Sequence, residues 1–99
     1  MSVLVTMRVP GDTQRFRSFV ANEAERLEAM RDAAKAAGCL HHRFGVGEDY
    51  VQVFDEWESA DAFQRFFADP QIAELMSESG AQGEPEISIT APIESADQF

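Results

Sequence analysis

Residues 50–69, YVQVFDEWESADAFQRFFAD, decide the fold. The first eight alternate in the period of a half-buried strand that ends on Trp57. Glu58 then leads into Ser59, a good helix N-cap, and Asp61 in the first turn suits the helix dipole. Ala60, Phe63, Phe66 and Phe67 fall on one face of the helix that follows. Asp69-Pro70 interrupts it, because the residue before proline avoids the helical region while proline fits the first turn of a new helix. The spacing of Ile72, Leu75 and Met76 predicts that second helical piece over 71–79.

Outward toward the N-terminus, Gly47-Glu48-Asp49 is a short polar turn that folds residues 39–46 back as the other arm of a hairpin. Leu40, His42, Phe44 and Val46 alternate with Cys39, His41 and Arg43, which predicts two faces for that strand. Before it, Phe16, Phe19, Val20, Leu27, Met30, Ala34 and Ala37 recur at three- and four-residue spacings, predicting one long amphipathic helix over 13–37. Gly38 sits where a left-handed C-terminal residue is wanted. Residues 2–9 alternate Val3, Val5, Met7 and Val9 against Leu4, Thr6 and Arg8, a strand that Pro10-Gly11 ends, with Asp12 or Thr13 as the next cap. Toward the C-terminus, residues 80–85 are a Gly/Pro loop and residues 86–91 a last strand through Ile87 and Ile89. A single domain over 1–92 and a polar tail over 93–99 follow.

The order βαββαβ predicts an α+β, ferredoxin-like fold: a four-stranded antiparallel sheet with the helices on one face. The other face combines Thr6, Arg8, His41 and Arg43 with Tyr50, Gln52 and Phe54. That mixture is partly apolar, and two such sheets placed face to face bury it as a dimeric α+β barrel.

Ninety-nine residues hold one domain, and so short a chain gains stability by association, so a homodimer is expected. The net charge of −10 is lopsided: residues 1–47 carry +2 and residues 48–99 carry −12. A surface of that sign repels phosphate backbones and anionic lipid, which argues against nucleic acid and membrane as partners. The N-terminus lacks the pattern of a signal peptide, and a cytoplasmic location is expected. The one cysteine, Cys39, cannot form an intrachain disulfide and reads as a small buried hydrophobe.

From these residues the chain resembles the dimeric α+β barrel proteins, and among them the antibiotic-biosynthesis-monooxygenase-like domains. The resemblance covers roughly residues 2–91. It rests on Phe54-Asp55-Glu56-Trp57-Glu58-Ser59, on Ala60-Asp61-Ala62-Phe63, and on Phe66-Phe67-Ala68-Asp69-Pro70 followed by Ile72-Ala73-Glu74-Leu75-Met76. It implies a pocket near Trp57 between sheet and helices, with Trp57 as the candidate catalytic residue. Haem-degrading relatives use an asparagine on the first strand and a histidine on the second helix. Here Thr6, Met7 and Arg8 hold the first position, and residues 60–79 contain no histidine. Relatives that oxidise phenols or quinols often carry a histidine on the helix after the serine, where this chain has Phe66 and Phe67.

The remaining pocket candidates come from the residues themselves. Phe16, Phe19, Phe63, Phe66 and Phe67 pack as core or surround an apolar cleft for a flat aromatic ligand, with Arg8, Tyr50 or Trp57 orienting it. Neighbouring His41 and His42 point to opposite faces and cannot readily share a metal, so no metal site is expected. His41 and Arg43 share a face suited to an anionic or enolate oxygen. No flavin, nicotinamide or phosphate-loop fingerprint is present, so an oxygenase here would use no cofactor. Three readings stay open: a cofactor-independent monooxygenase-like enzyme for a small phenol or quinol, a non-catalytic dimer binding a small apolar ligand, and an interaction domain. An open cleft holding a protonatable group favours the first.

Overall fold

Apolar residues at every second position make Val3–Pro10 (β1) a strand with one buried face, Val5, Met7 and Val9 turning inward and Arg8 outward. The computed structural model describes residues 1–99 and adds α1 (Thr13–Asn22), α2 (Ala24–Ala37), β2 (Cys39–Val46), β3 (Tyr50–Trp57), α3 (Ala60–Phe67), α4 (Pro70–Glu78) and β4 (Glu86–Thr90). The strands form one antiparallel sheet in the order β2-β3-β1-β4. This is the ferredoxin-like βαββαβ arrangement, with each helical stage built in two pieces. No helix is long and apolar enough to cross a membrane.

Local chemistry sets the helix starts. The Asp12 carboxylate accepts from the backbone N–H groups of Gln14 and Arg15 at the head of α1. Ser59 Oγ accepts from Ala62 N–H at 3.1 Å at the head of α3. Asp69 does the same for Gln71 N–H at 2.9 Å, with Pro70 in the first turn of α4. Each satisfies donors that the helix itself leaves unpaired. Gly38 ends α2 with φ 114°, a backbone state that costs glycine no Cβ clash.

Two details depart from the sequence reading. The single helix expected over 13–37 is broken at Glu23, whose backbone leaves the helical region at φ −118° and ψ 39°. The apolar spacing passes through this point in phase, so periodicity does not see the break. Packing does: α1 buries Phe16 and Phe19, while α2 buries no residue fully. The second departure is in β2. A register shift between Cys39 and His41 makes Leu40 an extra residue. Cys39 therefore pairs with Trp57 and turns inward with His42 and Phe44, not outward with His41 and Arg43.

The core lies between the inner sheet face and the helices. Val5, Cys39, Trp57, Ala62 and Phe63 form one cluster, and Met7, Val9 and Val53 a second. Trp57, only 2% exposed, packs edge-on to Phe63 and tilted against Phe66. Phe63 stacks on Phe67 with centroids 5.5 Å apart. The outer sheet face leaves Leu4 and Phe54 exposed, and Phe99 is fully exposed at the end of the chain.

Candidate functional site

No residue of α2 is fully buried, and the core is not filled beneath it. A cavity of about 450 Å³ opens between the inner sheet face and the helices. Met7, Val9 and Val53 lie on its sheet side, Leu27 and Met30 of α2 above them, and Ile72 and Met76 of α4 to the side. A volume of that size and apolar character suits a small aromatic molecule.

Of the residues singled out in the sequence, Trp57, Phe16, Phe19, Phe63, Phe66 and Phe67 line this cavity, as does His41. Arg8, Arg43 and Tyr50 do not. Strand parity is the reason: each alternates with inward residues, Arg8 with Met7 and Val9, Arg43 with His42 and Phe44, Tyr50 with Val51. They lie on the uncovered sheet face, where the Arg8 guanidinium sits 3.7 Å over the Tyr50 ring. The pairing of His41 with Arg43 for an anionic oxygen therefore does not form inside the cavity. His41 pairs across the sheet with Glu56, and its carbonyl accepts from the Cys39 thiol at 3.3 Å.

The polar centre of the cavity is built on Asp55, a residue the sequence reading gave no role. Asp55 faces inward between Val53 and Trp57, its side chain only 8% exposed. Its Oδ1 lies 2.6 Å from His42 Nδ1, and its Oδ2 accepts from the Trp57 indole N–H at 3.0 Å. A carboxylate so far out of water needs donors on both oxygens, and here it has them. Its contact with Oδ1 places the proton of neutral His42 on Nδ1. The Nε2 lone pair is then free, and Nε2 makes no hydrogen bond within the protein. The His42 ring stands edge-on to Phe44, centroids 4.6 Å apart, and lines the cavity with a side chain 39% exposed. Beside this group, burial pushes the Cys39 thiol up to about 11, and the Asp55 charge adds to the shift.

A signal for this group was present in the sequence. Asp55 is the one acid on the inward parity of an otherwise apolar strand face, Val51, Val53 and Trp57. Folding the hairpin about residues 47–49 sets His42 directly opposite it.

A histidine fixed by a buried carboxylate at an apolar cavity is suited to taking a proton from a bound hydroxyl. Comparison of the whole chain with solved structures agrees with the architecture. The monooxygenase of Streptomyces coelicolor from the gene ActVA-Orf6, solved with the ligand nanaomycin D, superposes with a TM-score of 0.69 at 21% identity, over 99% of this chain and 93% of that one. The chain shares the fold of the antibiotic-biosynthesis-monooxygenase-like proteins. SnoaB of Streptomyces nogalater, a cofactor-independent oxygenase, superposes with a TM-score of 0.64 at 17% identity over 98% of both chains. A dimeric ferredoxin-like protein from an uncultured marine organism gives 0.66 at 12% identity, over 99% of this chain and 93% of that one. Neither a protein-family model nor a curated protein matches the chain. In this chain Phe66 and Phe67 leave the helical wall of the cavity apolar, and the histidines that line it come from β2.

Proposed function

We propose that the protein is a cofactor-independent monooxygenase-like enzyme acting on a small phenol or quinol. The observation that carries this reading is the His42–Asp55–Trp57 chain at an open apolar cavity. The bound ring lies among the phenylalanines with its hydroxyl toward His42 Nε2. His42 takes the hydroxyl proton, and Asp55 holds the imidazolium that forms. The resulting phenolate is electron-rich enough to pass one electron to dioxygen, and the radical pair joins at the ring carbon para to the oxygen. The peroxide anion so formed takes back the proton held by His42; His42 then removes the hydrogen on that carbon as a proton while the O–O bond breaks, and passes it to the leaving hydroxide to give water. One phenol and one dioxygen thus give one quinone and one water, with all electrons drawn from the substrate. The apolar walls keep bulk water from the intermediate.

Support also comes from the solved proteins of the same fold described as monooxygenases. The alternative, a non-catalytic binder of small aromatic ligands, uses the same cavity without proton transfer. Oxygen uptake on a panel of phenols and quinols, with quinone formation followed by absorbance, tests the choice. Turnover that falls on the order of 10²-fold or more in His42→Ala, with folding kept, supports the enzyme. Binding without oxygen uptake leaves the ligand-binding reading.

The same proposal includes a homodimer formed through the uncovered sheet face. What supports it is the exposure of Leu4 and Phe54 there, the small size of the chain, and the dimeric ferredoxin-like protein of the same fold.

A further inference from the structure

The chain carries a net charge of −10, yet its cavity is edged by cations. Arg31 and Lys35 stand four residues apart on α2, hence on one side of that helix, and both line the cavity together with His42. The acids that also line it are already engaged. Asp55 is held by His42 and Trp57, and Asp12 caps α1. Arg31 meets only the exposed carboxylate of its neighbour Asp32, a contact with both side chains largely in water. Lys35 has no carboxylate within salt-bridge distance. Leu27, Met30 and Ala34 on the same helix are half-buried and apolar. The cavity thus has an apolar interior, a base with its own carboxylate, and two cations at one edge without a buried counter-charge.

We infer that the ligand is a phenolic aromatic that also bears a carboxylate, its ring held in the apolar interior and its carboxylate held by Arg31 and Lys35. This rests on the cavity reading above and adds the substrate's charge. A molecule of that sign is repelled by the rest of the surface, so a preference for it requires a local site of opposite charge. The guanidinium of Arg31 can take both carboxylate oxygens at once, and the Lys35 ammonium adds a point charge.

Calorimetric titration with naphthol and with a hydroxynaphthoate, which differ by one carboxylate, tests the assignment. The protein is expected to bind the hydroxynaphthoate tighter on the order of tenfold at low ionic strength, with the advantage shrinking as salt is added. In R31Q/K35Q the preference falls to about twofold or less, while naphthol binds as before and so reports an intact cavity. In R17Q/R65Q, which removes the same charge away from the cavity, the preference remains. Equal binding of the two probes, a preference kept in R31Q/K35Q, or one lost equally in R17Q/R65Q overturns the inference and leaves the cavity reading standing. Failure of both probes to bind overturns both.

Discussion

The Asp55 carboxylate ties His42 to Trp57: Nδ1 of the first lies 2.6 Å from Oδ1, and the indole N–H of the second donates to Oδ2 at 3.0 Å. The two donors come from different strands, so the same acid that orients the candidate base also fixes the largest buried side chain. Function and stability are coupled at this residue.

Asp55→Asn keeps the shape but replaces a charged acceptor by an amide. Turnover of a phenolic substrate is expected to fall by about 10²-fold or more, because the imidazolium loses its partner and Nδ1–H its strong acceptor. Asp55→Ala is expected to cost about 1–3 kcal/mol, since the Trp57 N–H then has no partner. Urea unfolding followed by Trp57 fluorescence measures the second effect, and oxygen uptake the first. Full activity in Asp55→Asn would remove the acid from the mechanism.

Cys39 gives a pH signature. Its thiol is pushed up from 9.0 to about 11, first by burial and then by the Asp55 charge. The folded state therefore holds this proton more tightly than the unfolded chain does. The associated stability is fully present below about pH 9 and is lost as pH rises toward about 11. Alkylation by iodoacetamide at pH 8 is expected to run about 100-fold slower in the native protein than in urea, because only the thiolate reacts. Cys39→Ala abolishes this part of the alkaline slope, and Asp55→Asn shifts the alkylation midpoint downward. A native midpoint near 9 contradicts the burial argument.

Much of this architecture was legible from the sequence, because the signals are local. Period-two runs mark all four strands, and Asp12, Ser59 and Asp69-Pro70 mark helix starts that the structure keeps. What stayed hidden depends on packing between distant residues. The break at Glu23 has no local marker, since Phe19, Val20 and Leu27 keep helical phase across it. The extra residue at Leu40 reverses the face of Cys39 alone and leaves no trace in the alternation of residues 41–46. Arg8, Arg43 and Tyr50 looked like pocket residues only while strand parity was set aside. Asp55 and His42 are the opposite case: parity sets both on the inner face, yet His42 reads there as one of two adjacent histidines without a shared metal, and only the hairpin pairing brings Asp55 to it. The cavity itself depends on how the helices meet over the inner sheet face, which no spacing of side chains encodes.

Phe63→Ala tests how the open cavity coexists with a firm core. Phe63 is 4% exposed, stacks on Phe67 and meets Trp57. Truncation is expected to cost about 3–5 kcal/mol, while Leu27→Ala on half-buried α2 costs about 1–2 kcal/mol because less apolar surface leaves contact. Equal losses in denaturant unfolding would mean that Leu27 is as firmly packed as Phe63.

Phe54→Asp tests the dimer. Phe54 is 51% exposed on the uncovered face, beside Thr6 and Arg43 in the sheet register. An aspartate there meets water in the single chain and does not disturb the core on the other side of the sheet. In a two-fold face-to-face pair it places two like charges within an apolar patch, which opposes association. Light scattering after size-exclusion chromatography is expected to give twice 11.0 kDa for the wild type and a shift toward 11.0 kDa for the variant. The far-ultraviolet spectrum should stay unchanged, since no helix or strand depends on the substituted side chain. A wild type that elutes at 11.0 kDa overturns the dimer outright. A variant that still elutes at twice that mass moves the interface off this face, because a buried pair of aspartates without counter-charge there would not be tolerated.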